Sequence, residues 1–154
     1  MEQAVLERIN AYRARHHAPP VTLDQNLNGI AADRARQCTG RPVASSSPPY
    51  LTNVAAGVYS NPELYVDAWY ETRTGYDYDS GTMSDFSAGN FTLMVWNEVT
   101  TIGVGFADTC ESSSPSGFPY ELTVAFGPTG NVPGAFKANV NRPDPTVPLP
   151  TPAT

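Results

Sequence analysis

Few side chains in this sequence are suited to act as a catalytic base or a metal ligand. Only two histidines occur, His16 and His17, and they are adjacent at the end of a helical pattern. Adjacent helical residues point to different faces, so we expect both to be exposed and to complement the helix dipole rather than to hold a metal. The rest of the chain lacks the usual general base and the commonest zinc ligand, so the sequence predicts no catalytic residue.

The two cysteines, Cys38 and Cys110, are too far apart in the sequence to form a metal-binding motif. Their separation leaves two states open, a long-range disulfide or a pair of buried thiols. Neither state supplies a nucleophile by itself, so the pair predicts structure rather than catalysis.

Six acids fall within one short stretch and could in principle bind a hard cation: Glu63, Asp67, Glu71, Asp77, Asp79 and Asp85. The segment that starts at Asp77 lacks the closing glutamate and the glycine position of an EF-hand loop. We therefore interpret the stretch as a solvated acidic surface.

The overall composition excludes several classes of protein. The 154 residues carry 9 basic and 15 acidic side chains, and the formal net charge is −6. An acidic chain is a poor ligand for nucleic acid, whose binding depends on Lys and Arg. No run of about 18 apolar residues is present, so no membrane span is predicted. Only 16% of residues are charged, while Gly (12) and Pro (15) are frequent, which favours a loop-rich extracellular domain.

The hydrophobic pattern predicts helices first and paired strands later. Asp24 is a suitable N-cap for the second helix. The predicted helices cover residues 2–16, about 24–38, 61–73 and 91–95, and the strands cover 102–106 and 120–126. Residues 41–50 and 74–87 are predicted loops. This order is typical of a mixed α+β domain in which helices pack on a small sheet.

The last residues have a different composition from the rest of the chain. Proline recurs at positions 143, 145, 148, 150 and 152, with few apolar side chains between. We expect residues 2–141 to form the domain and residues 142–154 to be an extended, disordered tail.

Two segments resemble the signatures of a known family. They are Asn90–Trp96 followed by Thr101–Gly105 (NFTLMVW, TIGVG), and residues 127–140 (GPTGNVPGAFKANV). Supporting matches occur in the same order within residues 15–27, 49–53 and 66–78. On these residues the chain is similar to the CAP superfamily, also called SCP/TAPS, which contains cysteine-rich secretory, antigen 5 and pathogenesis-related class-one proteins. It most resembles the fungal secreted branch.

The resemblance implies a fold and a redox state. The family fold is a three-layer α-β-α sandwich with long loops, and its members are secreted. Family members pair cysteines at positions that match Cys38 and Cys110, which implies a disulfide here. A second bridge of other members is replaced by Val104 and Val124, for which we expect apolar packing. We expect a monomer.

The resemblance also implies that a metal site has been lost. The family's central cleft usually holds two His and two Glu that can bind zinc. At those positions this chain has Thr52, Thr72, Asn90 and either Ala44 or Ser45. Hydroxyls and amides are weak ligands without imidazole or carboxylate support, so we expect no zinc and no other cofactor.

The resemblance points to lipid binding through the loop after the third helix. Tyr76, Tyr78, Met83 and Phe86 lie on this loop. Mobile aromatic and methionine side chains can fold over an apolar ligand, although they can equally pack the loop against the core. We expect a secreted, non-enzymatic protein that binds a sterol or a fatty acid, is pathogenesis-related-like and is linked to a fungus–plant interaction.

An alternative function is an effector that contacts a host protein or receptor through surface loops and the C-terminal segment. A hydrolase is disfavoured because the cleft positions offer no histidine and no paired acids.

Overall fold

A five-stranded sheet lies between two layers of helices in the computed structural model, which describes all 154 residues. The helices are α1 (Glu2–Arg15), α2 (Gln25–Arg36), α3 (Glu63–Glu71), α4 (Ala88–Met94) and α5 (Phe136–Asn139). The strands are β1 (Thr22–Leu23), β2 (Ala44–Ser46), β3 (Pro49–Gly57), β4 (Tyr76–Asp77), β5 (Thr82–Met83), β6 (Thr101–Ala107) and β7 (Tyr120–Gly127). Helix α2 packs on one face of the sheet, and α1, α3 and α4 share the core on the other. The expected α-β-α sandwich is confirmed.

The sheet has the strand order β1-β6-β7-β3-β2. Strand β7 pairs antiparallel with both β6 and β3, and β1 is the one parallel neighbour of β6. Strands β4 and β5 form a separate two-stranded hairpin. Strands β6, β7 and β3 therefore form the centre of the sheet, and β2 forms the edge next to β3.

Side-chain alternation along β6 determines how closely each helical layer approaches. Ile102 and Val104 belong to the main core, and Val104 pairs across the strands with Val124, as expected for the replaced bridge. Gly103 and Gly105 face α2, where an added Cβ would overlap the backbone of the helix. The glycine pair is needed because α2 lies directly on the strand.

The structure confirms most of the expected elements and adds others. Asp24 caps α2 through a hydrogen bond from the Leu27 N–H to its Oδ1 (2.9 Å). Helix α3 ends at Glu71 and continues as a 3₁₀ turn over Thr72–Gly75. The predicted loop over residues 41–50 instead contains β2 and the start of β3, and the loop over 74–87 contains the β4–β5 hairpin.

The proline-rich segment, which we expected to be an extended, disordered tail, makes hydrogen bonds with α1 and α3. The Asp144 N–H donates to the Arg15 carbonyl (2.7 Å), and the Arg15 guanidinium donates to the Val147 carbonyl (2.6 Å). Proline removes N–H donors but leaves every carbonyl free to accept, and arginine side chains of α1 supply the donors.

Cys38 and Cys110 form a disulfide that spans 72 positions of the sequence, as the resemblance implied. The bridge ties the end of α2 to the segment that follows β6. None of the helices combines the length and the apolar character required to cross a membrane.

Candidate functional site

A cleft of about 370 Å³ opens where β2 and β3 approach the N-terminal part of α4. Its lining residues are Pro42, Val43, Ala44, Leu51, Thr52, Asn53, Phe86, Gly89, Asn90, Leu93 and Asn131. None of these side chains is charged. The cleft therefore offers apolar contacts and neutral hydrogen-bonding groups, which is the chemistry of a site for a largely apolar, uncharged molecule.

Most polar groups of the cleft are held by the backbone. Asn53 Nδ2 donates to the Asn90 carbonyl (2.8 Å), and Asn131 Nδ2 donates to the Gly89 carbonyl (3.0 Å). Thr52 Oγ1 accepts from the Val43 N–H (2.8 Å). The Asn53 and Asn131 contacts fix the first turn of α4 and the Thr52 contact fixes the segment before β2, so the polar wall of the cleft is pre-organised.

The side-chain amide of Asn90 differs from its neighbours because no hydrogen bond within the protein engages it, while its backbone groups are both bonded. Asn90 is half-buried and lines the cleft. An amide presents donors and acceptors together. It can therefore accept from, or donate to, a hydroxyl group of a ligand.

The positions that the resemblance matched to the family's metal ligands lie partly at this cleft, although Ser45, the alternative to Ala44, does not line it. Ala44, Thr52 and Asn90 all line it. Thr72 does not, and its hydroxyl donates to the Trp69 carbonyl (2.6 Å). Nowhere in the chain do three or more His, Cys, Asp or Glu side chains come close enough to hold a metal ion. The donors present at the cleft do not suit zinc, which favours imidazole, thiolate and carboxylate ligands.

The four candidate lipid-binding residues divide between two places. Phe86 lines the cleft and is 97% exposed, so its ring stands at the rim. Tyr76 is buried in the main core and packs edge-to-face with Tyr78, with ring centroids 5.1 Å apart. Met83 pairs with Tyr76 across the β4–β5 hairpin and is partly buried against the same core. Only Phe86 has the exposure expected of a ligand-covering side chain.

His16 is not the exposed helix cap that the sequence suggested. It is fully buried, with Nδ1 2.7 Å from the Asn141 carbonyl oxygen and Nε2 2.9 Å from the Tyr70 hydroxyl. Burial lowers the pKa of His16 to about 4, so the ring is neutral at ordinary pH. A usable signal was the spacing Val5, Ile9, Tyr12, His16, which extends the apolar stripe of α1 by one turn. His17 is exposed, as expected, and pairs with Asp144 (2.8 Å).

Arg13 was also missed by sequence reasoning, and it is fully buried. Its guanidinium donates to the carbonyls of Pro19 (2.8 Å), Met94 (2.9 Å), Trp96 (2.9 Å) and Val99 (3.1 Å). Met94 ends α4, and the other three carbonyls follow α1 or α4, so one side chain ties the ends of both helices together. Burial lowers the pKa of Arg13 to about 10, which leaves it charged at neutral pH.

Comparison with known proteins identifies the family to which this architecture belongs. The model of the family described as "CAP: Cysteine-rich secretory protein family" matches residues 6–126. The human Golgi-associated plant pathogenesis-related protein 1 is 30% identical over 147 residues, which cover 90% of this chain and 91% of that protein. Protein PRY2 of Saccharomyces cerevisiae is 35% identical over 103 residues, which cover 67% of this chain and 29% of that protein.

The solved structure of Schistosoma mansoni venom allergen-like protein 4 superposes with a TM-score of 0.68 over 94% of this chain and 95% of that one. Its sequence identity is 18%, so the likeness concerns the fold.

Proposed function

Since the chain belongs to the CAP family of cysteine-rich secretory proteins, we propose that it is a secreted, non-enzymatic lipid-binding protein. The observation that carries this proposal is the cleft itself, which is uncharged, partly apolar and bordered by the 97% exposed Phe86. An exposed aromatic ring gains most when it covers an apolar ligand, because the ring and the ligand then leave water together. The volume of about 370 Å³ lies within the range of small-molecule sites.

The lining favours a sterol over a fatty acid. A sterol has one neutral hydroxyl, which the free Asn90 amide can engage. A fatty acid would bring a carboxylate among neutral amides, and an ion that loses water without a charged partner is strongly disfavoured. We therefore propose a sterol-like ligand whose hydroxyl lies near Asn90 and whose apolar body lies against Leu51, Leu93 and Phe86.

The proposal includes the absence of a zinc site at the cleft. Ala44 has no donor atom, and Thr52 Oγ1 is already bonded to Val43. Calorimetric titration of the purified protein with zinc is expected to show no binding at the cleft, and micromolar affinity there would contradict this part of the proposal.

The proposal also treats the protein as non-enzymatic. The neutral His16 is enclosed by the core and engaged at both ring nitrogens, and His17 is exposed beside Asp144 at the end of α1. Neither residue lines the cleft. No titratable side chain lines the cleft, so none is available there as a general base.

The test is saturable binding of radiolabelled cholesterol, with radiolabelled palmitate in parallel. We expect cholesterol binding by the unmodified chain, about five-fold weaker binding by Phe86→Ala, and little change for Tyr78→Ala. Phe118→Ala, another exposed phenylalanine outside the cleft, is the matched control. Cholesterol binding no greater than the blank, or equal loss for Phe118→Ala, would overturn the proposal.

The wider role that we propose is that of a pathogenesis-related-like protein in a fungus–plant interaction. The named relatives are a human protein whose name places it among pathogenesis-related proteins and a yeast protein, and the first supports the pathogenesis-related part of this proposal. The disulfide is typical of proteins in oxidising compartments and supports secretion. Detection of the protein in the medium of the producing cells tests secretion, and full retention inside the cells would contradict it.

A further inference from the structure

A groove runs between α1 and α3, and the last residues of the chain lie in it. Tyr12 and Tyr70 form part of its wall, with their rings stacked 4.0 Å apart at an interplanar angle of 18°. Leu149, Pro150 and Pro152 line a cavity of about 180 Å³ together with these two tyrosines, Asp67 and Glu71. Grooves that bind polyproline-type segments are commonly lined by aromatic side chains, as this one is.

The groove holds its occupant through main-chain atoms. Arg8 Nη2 donates to the Thr151 carbonyl (2.6 Å), and Arg15 Nη1 donates to the Val147 carbonyl (2.6 Å). The Ala153 N–H donates to Asp67 Oδ2 (3.2 Å). Because these contacts do not involve the side chains of the occupant, they suit any extended segment with carbonyls and an amide at the same spacing.

The groove is pre-organised by groups that belong to the helices. Arg8 Nε donates to Asp67 Oδ1 (2.5 Å), and the Tyr12 hydroxyl donates to the same oxygen (2.7 Å). Burial by itself would raise the pKa of Asp67, but the hydrogen bonds from Arg8, Tyr12 and the Ala153 N–H hold it below its usual value. The carboxylate therefore stays ionised and keeps the Arg8 guanidinium turned toward the groove.

The occupant buries little of its own surface. None of residues 142–154 is buried, and Leu149 remains 47% exposed. Prolines restrict the backbone to extended conformations, so little entropy is lost when the segment is ordered. Such a segment binds without burying its own side chains, and it can be exchanged for another of the same form.

From these contacts we infer that the groove between α1 and α3 is a binding site for an extended proline-rich segment of a partner protein. Residues 147–154 are its intramolecular occupant, with Pro148, Pro150 and Pro152 at alternate positions. The site shares no lining residue with the cleft, so it provides an interaction that is separate from lipid binding.

The test uses a fluorescein-labelled peptide of residues 146–154 (TVPLPTPAT) and fluorescence anisotropy with the full chain. A tethered occupant competes at an effective concentration of about millimolar, so the peptide is expected to bind the unmodified chain weakly. A full-chain variant with Pro148, Pro150 and Pro152 changed to Gly loosens the occupant. We expect it to bind the peptide about ten-fold more tightly than the unmodified chain does.

Two controls keep the outcome interpretable. In the glycine variant, Arg8→Gln is expected to abolish the gain, whereas Arg36→Gln, a change of an exposed arginine on α2, is expected to retain it. A peptide with its prolines changed to Ala leaves the protein untouched and is expected to bind about ten-fold more weakly. Equal binding by the unmodified chain and the glycine variant, or equal binding of the two peptides, would overturn the inference.

Discussion

The inner side of α1 and the cleft beside β3 use polar groups in opposite ways. On the inner side, Arg13 and His16 are fully buried, and their hydrogen-bonding atoms are engaged by the chain itself. At the cleft, the Asn90 amide has no partner within the protein, and Phe86 is almost fully exposed. The charged and titratable groups thus stabilise the fold, while the groups that are free to contact a ligand are neutral.

This contrast indicates where function should be sought. A charged or titratable residue attracts attention in a sequence, but a buried one with satisfied hydrogen bonds is committed to stability. An unpaired neutral amide beside an exposed aromatic ring is less conspicuous and more available. Substitutions on the two sides should therefore separate stability from binding.

The largest expected effect is on the inner side, at Arg13. Changing Arg13→Met removes the donors to four carbonyls and should lower the free energy of unfolding by about 4 kcal/mol, since each unsatisfied buried group costs about 1–3 kcal/mol. Urea unfolding followed by tryptophan fluorescence measures the change. Arg36→Met, at an exposed arginine, is the matched control and should change stability by less than about 0.5 kcal/mol. A loss below about 1 kcal/mol for Arg13→Met would refute the structural role of Arg13.

The next effect is a pH dependence that originates at His16. Burial lowers the pKa of His16 to about 4 from 6.5, so the unfolded chain takes up a proton at a higher pH than the folded chain does. Protonation of His16 in the unfolded chain therefore has no effect on stability above pH 6.5. As the pH falls toward 4, it lowers the free energy of unfolding progressively, by at most about 3 kcal/mol.

Unfolding titrations across this pH range should show a smaller decrease for His16→Gln than for the unmodified chain. His17→Gln is the comparison, because it removes the neighbouring exposed histidine and leaves the buried His16 in place. A slope that follows His17 instead would place the titrating group outside the core.

A smaller effect is expected at the cleft from Asn90→Asp. The carboxylate introduces a charge among neutral groups, so cholesterol binding should weaken by about ten-fold. Stability should change by less than about 1 kcal/mol because no hydrogen bond of the Asn90 side chain is lost. Equilibrium binding and urea unfolding measure the two quantities. Unchanged cholesterol affinity would mean that the sterol does not lie beside Asn90.

The smallest effect on stability is expected at Phe86. Since this ring is 97% exposed, Phe86→Ala should change the free energy of unfolding by less than about 0.5 kcal/mol, although we expect it to weaken cholesterol binding. Tyr76→Ala, in the buried part of the same segment, should cost about 3 kcal/mol. Thermal denaturation compares the two variants. Similar losses would show that Phe86 packs on the domain rather than standing at the cleft.

Much of the fold could be predicted from local patterns. The alternation in β6 and β7 and the N-cap at Asp24 gave correct elements, because in each case neighbouring residues carry the signal. Strand β3 was missed because its outer residues are only half-buried, so its sequence lacks a clear alternation. The β4–β5 hairpin has two residues in each strand, which is too short for a periodic signal.

The site was harder to predict because it depends on contacts between distant segments. Of the positions that the family resemblance matched to metal ligands, Ala44, Thr52 and Asn90 line the cleft, whereas Thr72 and the alternative Ser45 do not. The sequence could not show that Tyr76 is buried while Phe86 is exposed, since both are aromatic residues of one loop. Nor could it show that arginines of α1 would bind the carbonyls of the proline-rich segment.

The most direct measurement of the central claim is a nuclear magnetic resonance titration of the ¹⁵N-labelled chain with cholesterol. Our account predicts that the largest shifts fall on the side-chain amides of Asn53, Asn90 and Asn131 and on the Gly89 N–H, all at the cleft. Shifts confined to the β4–β5 hairpin or to the groove between α1 and α3, or no shifts at all, would contradict it.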